Sequence, residues 1–441
     1  MSDPRVVEVW GVERSGVVCF EAPLSKSFFY RLAALLFTGR GCVKGIPDAE
    51  DADSVVDIIV AGGGSLVSDD RLCVDYFREA ERYEVDVGCS GGALRVTLPA
   101  LLAAAPPGAV IVVKACRRLF ERLEDATLRL FAYFGSFEVR SVDGLIVLRK
   151  ERMPEEITLA ASESSQPISG ALIAAAVVSS LLGTAVRVSL SASVSAGHVY
   201  QTIEAMKWAR VVVDASVASR GGAVSVVGWV EARQRRLVLE TPGDWGLAAL
   251  AATAFAPQTP VVVEGLWAPW GGPGDHMVAL YARLLGYESV VYTDGKHATW
   301  LVEPGEPPLL AELNSSAEPD VALALAYMAA AAGGGVRVRG VGHLSRKESN
   351  RLETIAESLR ALGYASYNTV DSLVVAPGRR LAFMHAAIVC PGDHRVAMGA
   401  AAVAAAQGVR VRIERAACVA KSWRGFWERI SRLGVRLIAV S

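Results

Sequence analysis

Lysine, asparagine and glutamine are scarce in this sequence. Only eight of its 45 cationic residues are lysines, and it has three asparagines and five glutamines. Lysine and arginine do different chemistry, so each lysine is informative. The shortage of amides hints at a hot source or a GC-rich genome. Net charge is missing as well: 45 cationic and 46 acidic residues leave −1 overall. That excludes a global basic footprint for nucleic acid, and the basic cluster at 233–236 reads as a solvated face.

The seven cysteines are odd in number, scattered, and form no C-x-x-C pair. Neither a disulfide framework nor a structural zinc site is expected from them. The histidines are spread too widely to form a metal cluster, and no Gly-x-x-x-x-Gly-Lys-[Ser/Thr] loop is present. The opening Met1-Ser2-Asp3-Pro4 lacks a charged-then-apolar signal pattern. The longest uncharged run lies between Gln166 and Arg187 and carries Pro167, Ser169, Gly170, Ser179 and Ser180. It reads as a buried helix rather than a membrane span. The expectation is a cytoplasmic protein without metal, nucleic-acid or membrane partner.

What the chain does have is alanine and a long-period repeat. Ala-rich helices are predicted near 28–37, 93–105, 168–182, 247–255, 321–332 and 396–406. Each precedes a Val-rich strand, starting near Val43, Val110, Val186, Val261, Val336 and Val409. Second helices follow near 52–60, 125–134, 199–209, 276–285, 352–362 and 423–433. The period of roughly 70–75 residues is longer than a solenoid repeat but regular. Each unit reads as β-α-β-α-β-β. The Ala-rich helices are apolar nearly all round, which requires burial on more than one side. Three could pack around an axis with sheets outside, so six units make two domains of an inside-out α/β barrel. Hinges are expected near Glu21-Ala22-Pro23 and within 239–244, giving 23–242 as one domain and 1–22 with 243–441 as the other. The opening strand at 6–10 has no helix of its own and would complete the second of these.

Polar residues stand before every Ala-rich helix: Ser25-Lys26-Ser27, Gly88-Cys89-Ser90-Gly91, Ser164-Ser165-Gln166, Gly243-Asp244, Pro319-Asp320 and Asp393-His394-Arg395. Helix caps explain the serines and aspartates. They do not explain Lys26, Arg31, His394 and Arg395. Ser345-Arg346-Lys347-Glu348-Ser349-Asn350-Arg351-Leu352 likewise opens an amphipathic helix that stops at Gly363. Lys347 and Arg351, four apart, would hold anions at a helix start, where free N–H groups and the dipole already favour them. Glu348 between them is placed to move a proton. Six such helix starts converging on a cleft between the domains would attract substrates with several negative charges.

In ordered motifs over essentially its whole length, the chain resembles the enolpyruvyl transferases, in particular the 5-enolpyruvylshikimate-3-phosphate (EPSP) synthase family. S-K-S-x-x-x-R is matched by Ser25-Lys26-Ser27 and Arg31. G-N-[AS]-G-T-x-x-R is matched loosely by Gly88 to Arg95, with Cys89 and Gly92 replacing Asn and Thr. Glu121-Arg122-Leu123 matches E-R-P with Leu for Pro. Ser164-Ser165-Gln166, Ser195-Ala196-Gly197-His198, Pro319-Asp320, Lys347-Glu348, Arg351, Asp393-His394-Arg395 and Ala420-Lys421-Ser422 follow in order. His198 stands in a Tyr place and Asn350 in an Asp place.

The resemblance implies enolpyruvyl transfer from phosphoenolpyruvate to the 5-hydroxyl of shikimate 3-phosphate, without a cofactor, by a monomer. It implies that Lys26, Ser27, Arg31, Ser164, Ser165, Gln166, Ser195, Asp320, His343 and Lys347 hold shikimate 3-phosphate. Phosphoenolpyruvate falls to Lys26, Gly91, Arg122, Gln166, Arg351, Arg395 and Lys421. Asp320, Glu348 and Lys26 would carry the proton transfers. Gly91 lacks a side chain, as in family members that admit glyphosate, so sensitivity is expected. The alternatives are a transferase acting on UDP-N-acetylglucosamine, an RNA 3′-phosphate cyclase type and a non-catalytic repeat scaffold. The first uses a loop cysteine. Cys116 lies near Arg122 but without a Pro-Gly-Gly-Cys loop, and it reads as a plain buried thiol.

Overall fold

A computed structural model describes residues 3–13, 16–346, 349–379, 386–390 and 392–440. Residues 24–241 form one compact unit. The described residues up to 23 and from 242 onward form the other.

Each unit carries three four-stranded sheets, and all six share one plan. A first strand lies parallel to the strand that follows the Ala-rich helix, and two antiparallel strands complete the sheet, joined as a hairpin in five of them and supplied by Val6–Val12 and Val435–Val440 in the sixth. In residues 24–241, for example, Arg82–Gly88 pairs in parallel with Val110–Ala115, which pairs antiparallel with Leu145–Lys150, and Gly135–Arg140 closes the edge. The strands alternate. Glu156–Ala161 buries every second residue, so one face meets helices and the other meets solvent.

Distant chain segments complete three of the sheets. Arg236–Glu240 takes the first-strand place beside Arg40–Lys44. Val18–Glu21 does the same beside Val261–Trp267. The opening strand Val6–Val12 lies between Val411–Glu414 and Val435–Val440. Among the described residues, no helix is long and apolar enough to cross a membrane.

Inside each unit the Ala-rich helices pack on one another: Lys26–Leu35, Leu98–Ala104 and Gln166–Leu182 in one, and Trp245–Ala252, Pro319–Ala332 and His394–Gln407 in the other. The Gln166–Leu182 helix is buried without a break from Pro167 to Ser180. Close approach is what demands small residues. A Cβ on Gly399 would sit 2.1 Å from the Tyr327 ring, and one on Gly170 would sit 2.1 Å from the Arg95 carbonyl.

Two expectations need correction. The helix expected over 93–105 is not one α-helix: Ala93–Thr97 is a π-helical turn, and Leu98–Ala104 follows with Pro99 in its first turn. Proline has no N–H to donate back, so the wider turn precedes it without losing a further bond. The cysteines are not free thiols. Cys42 pairs with Cys73, Cys89 with Cys116 and Cys390 with Cys418, leaving Cys19 free among the described residues. Sequence spacing hid this because the partners are brought together only by strand pairing and by the turns that follow the strands. Cys42 and Cys73 face each other in antiparallel register.

One lysine is wholly internal. Lys150 Nζ donates to the carbonyls of Leu102 (2.9 Å) and Ala103 (3.0 Å) and lies 4.6 Å from the Phe134 ring centroid. It thereby caps the C-terminal end of Leu98–Ala104. Burial pushes its pKa down to about 7 from an ordinary 10.5. Between these values the unfolded chain binds a proton that the folded chain does not, so stability rises with pH across that window. Denaturant unfolding at pH 6.5 and about pH 9 should show a gain of a few kcal/mol in the wild-type protein, and Lys150→Met should flatten that rise.

Candidate active site

Lys26 opens its helix behind the N-cap Ser25, whose hydroxyl accepts from Phe28 N at 3.4 Å. Lys26 Nζ meets Asp51 Oδ2 at 2.5 Å, with both side chains nearly buried. Asp51 belongs to the acidic first turn of Glu50–Ala61. Acidic residues in a first turn ordinarily compensate the helix dipole, so nothing in the sequence signals a partner for Lys26.

Ser27 Oγ donates to Gln201 Oε1 at 2.8 Å. Arg31, a turn further on and buried, spends all five N–H donors on protein acceptors. Nε bonds Thr202 Oγ1, Nη1 bonds the Ser27 carbonyl and hydroxyl, and Nη2 bonds Ser169 Oγ and the His198 carbonyl. As arranged, Arg31 braces Ser27 against the helices Gln166–Leu182 and Ala196–Trp208. Ser195 caps the latter in the left-handed region at φ 59°, uncommon for a residue with a side chain. Ser164 Oγ accepts from Gln166 N at 3.2 Å. The buried Ser165 hydroxyl has no hydrogen-bond partner among the described residues.

Gly91, Arg122 and Gln166 are joined through Arg95, a residue that appeared in the motif but received no role. Arg95 is buried, and it donates from Nη1 to Gln166 Oε1 at 3.2 Å and from Nη2 to the Arg122 carbonyl. Its Nε lies 3.2 Å from Glu124 Oε1. A Cβ on Gly91 would come within 2.6 Å of Arg95 Nη1 and 3.3 Å of Gln166 Oε1. The absence of a side chain there leaves this arginine its place.

In the other unit, Asp320 sits in the first turn of Pro319–Ala332. Its Oδ1 is 2.9 Å from Arg351 Nη1 and its Oδ2 is 3.1 Å from Arg395 Nη2. Arg351 also reaches Asp393 Oδ2 through Nε at 2.6 Å, and Asp393 is the N-cap of His394–Gln407. Two arginines and two carboxylates thus interlock, with Arg351, Arg395 and Asp393 buried and Asp320 half-buried. His394 Nε2 lies 2.8 Å from Ser422 Oγ, next to Lys421. His343 falls in the short Gly342–Arg346 turn. The helix expected to open near Ser345 begins at Arg351, capped by Asn350, whose side chain accepts from Glu353 N. Lys347 and Glu348 lie outside the described residues.

Sequence reasoning missed a second acidic layer. Glu318, two residues before Asp320, is buried and receives the Tyr281 hydroxyl at 3.5 Å; burial raises its pKa to about 7. The Asp275 carboxyl is pushed well above the ordinary range, first by burial and then by the charges of Asp244 and Asp320. His276, edge-on to Trp267 and Trp270, is held neutral, its pKa lowered to about 4 by burial. Burial thus raises the proton affinity of both carboxyls. They were not legible because their side chains come from separate repeats. Among the described residues, no group of three or more His, Cys, Asp or Glu could hold a metal ion.

Residues 15–430 match the family described as EPSP synthase (3-phosphoshikimate 1-carboxyvinyltransferase). A 3-phosphoshikimate 1-carboxyvinyltransferase of Caldivirga maquilingensis is 31% identical over 432 residues, covering 95% of this chain and 96% of the relative. One from Sulfurisphaera tokodaii is 26% identical over 436 residues, with coverage of 95% and 96%. In structure, the chain is similar to an EPSP synthase from Acinetobacter baumannii (TM-score 0.73, 19% identity, 99% and 100% covered). It is also similar to the enolpyruvyl transferase NikO from Streptomyces tendae (TM-score 0.64, 17% identity, 99% of each). At those identities the structural likeness is one of fold. The family match across nearly the whole chain and the 31% relative carry more: the chain belongs to the EPSP synthase (3-phosphoshikimate 1-carboxyvinyltransferase) family.

Proposed function

We propose that this chain transfers the enolpyruvyl group of phosphoenolpyruvate to the 5-hydroxyl of shikimate 3-phosphate and releases phosphate. The observation that carries the reading is the Asp320 carboxylate held between two buried arginines, Arg351 and Arg395. An acidic pair of substrates needs cations that water does not screen, and arginine binds carboxylate and phosphate through two oxygens at once.

Protonation of the phosphoenolpyruvate methylene makes the neighbouring carbon electrophilic. The 5-hydroxyl attacks that carbon and gives up its proton, forming a tetrahedral intermediate. Loss of phosphate and of one methyl proton restores the double bond. In this scheme Asp320 takes the hydroxyl proton, and Glu348 with Lys26 serves the methylene carbon. As arranged, both Asp320 oxygens are spent on guanidiniums. The phosphoenolpyruvate carboxylate offers those arginines a second acceptor. Drawing them toward it turns an Asp320 oxygen to the substrate hydroxyl, so the anion that Arg351 and Arg395 bind also uncovers the base.

Arg31 enters as the brace of Ser27, and Ser164, Ser165, Gln166, Ser195, His343 and Lys347 complete the shikimate 3-phosphate side. Gly91, Arg122, Gln166, Lys26 and Lys421 join the two arginines on the phosphoenolpyruvate side. Both substrates are small and highly charged, which accords with a monomeric cytoplasmic enzyme. The pairing of Cys116 with Cys89 disfavours the UDP-N-acetylglucosamine alternative, since no thiol is on offer there.

Phosphate should appear when the protein is given phosphoenolpyruvate and shikimate 3-phosphate, and not when UDP-N-acetylglucosamine replaces the latter; the reverse result would reassign the acceptor. Asp320→Asn and Glu348→Gln should each lower kcat by about 10²–10⁴-fold with the fold intact, Asp320→Asn also at a lowered melting temperature because Arg351 and Arg395 lose a counter-charge, and near-normal turnover would remove that residue from the scheme. Gly91→Ala should raise KM for phosphoenolpyruvate about tenfold and leave KM for shikimate 3-phosphate nearly alone in initial-rate measurements.

A further inference from the structure

We propose that the Cys89–Cys116 disulfide is a positioning brace for the phosphoenolpyruvate side of the site, locking the glycine-rich turn to the segment that carries Arg122; the assignment to phosphoenolpyruvate rests on the function proposed above. Two parallel strands, Arg82–Gly88 and Val110–Ala115, end side by side, with Gly88 opposite Ala115. The last backbone bond between them runs from Cys116 N to the Gly88 carbonyl at 2.8 Å. Beyond it the chains part. One enters Cys89-Ser90-Gly91-Gly92 and the π-helical turn that carries Arg95. The other enters the short Arg117–Phe120 helix and then Arg122 and Glu124.

The disulfide bridges the first residue beyond each strand, with Cα atoms 5.2 Å apart, inside the ordinary range for such bonds. The segments meet again only further along, where Arg95 donates to the Arg122 carbonyl and pairs with Glu124. Gly88, with φ at +50°, and two more glycines in the next four residues make this turn intrinsically loose. A covalent bond at its root removes the freedom those glycines add. The position also makes the bond addressable. Cys89 is exposed and Cys116 half-buried, whereas Cys73 and Cys390 are buried. Exposed disulfides are the ones that reductants reach. Cys89 and Cys116 are therefore positioning residues, acting through the placement of Gly91, Arg95 and Arg122.

The test uses the full-length protein, oxidised or treated with a phosphine, which takes the oxygen of water to become the phosphine oxide as the disulfide becomes two thiols. Alkylation and mass mapping confirm that Cys89 and Cys116 are free. Amide hydrogen exchange in 89–95 and 117–124 should then quicken about tenfold, with the rest of the unit unchanged. KM for phosphoenolpyruvate should rise about tenfold, while kcat and KM for shikimate 3-phosphate stay within about twofold. Cys89→Ser/Cys116→Ser should start at the raised KM and ignore the phosphine. Cys42→Ser/Cys73→Ser should keep the oxidised KM and still respond to it. Free thiols with unaltered exchange or an unaltered phosphoenolpyruvate KM overturn the brace, as does loosening spread evenly over the unit. Absence of turnover from the oxidised protein would instead sink the transferase reading, and hydrogen exchange alone would then decide whether the bond holds the two segments.

Discussion

The close approach of three helices built from alanine and glycine sets the terms for each unit. Helices this near to one another have no room for large side chains at their contacts, as the 2.1 Å clash awaiting a Cβ at Gly399 demonstrates. Burying such a bundle on all sides requires three separate sheets around it, each presenting one apolar face. The repeat follows from that requirement, because one β-α-β-α-β-β unit supplies one buried helix and one sheet but cannot cover its own helix. The borrowed strands follow too: Arg236–Glu240, Val18–Glu21 and Val6–Val12 fill places that the local chain leaves open.

Because the helices are apolar along their length, their polar business is confined to their starts. Lys26, Gln166, Asp320 and Arg395 all lie in first turns. Each is then fixed by a buried partner from elsewhere. Lys26 has Asp51, Gln166 has Arg95, and Asp320 has Arg351 and Arg395. A buried charge without a partner is costly, so these interlocked pairs are the condition on which so many cations can be kept away from water. In the function proposed above, an incoming anion would compete with Asp320 for these arginines.

The disulfides show how a valid local rule reaches a wrong end. Scattered cysteines without C-x-x-C spacing do not look like a framework, and the expectation of free thiols was reasonable on spacing alone. The bonds join residues about thirty apart, with separations of 31, 27 and 28: Cys42 and Cys73 meet across an antiparallel pair, Cys89 and Cys116 just beyond the ends of a parallel pair, and Cys390 just past a strand meets Cys418 in a short turn. Arg31 makes the complementary point. Its place in a motif suggested a substrate ligand, and only its surroundings reveal that its donors are already committed to Ser27, Thr202, Ser169 and His198.

By itself the sequence determined the repeat, the positions of twelve helices to within a few residues, and the residue types that stand at the central helix starts, because these depend on local periodicity and on groups close together in the chain. Tertiary structure decided which charges neutralise which. Asp51 for Lys26, Arg95 for Gln166 and Asp393 for Arg351 join segments 25, 71 and 42 residues apart. It also decided which cysteines bond and which carboxyls, Glu318 and Asp275, burial drives to a higher pKa. Pairing and desolvation are properties of position in space, and no window of sequence contains them.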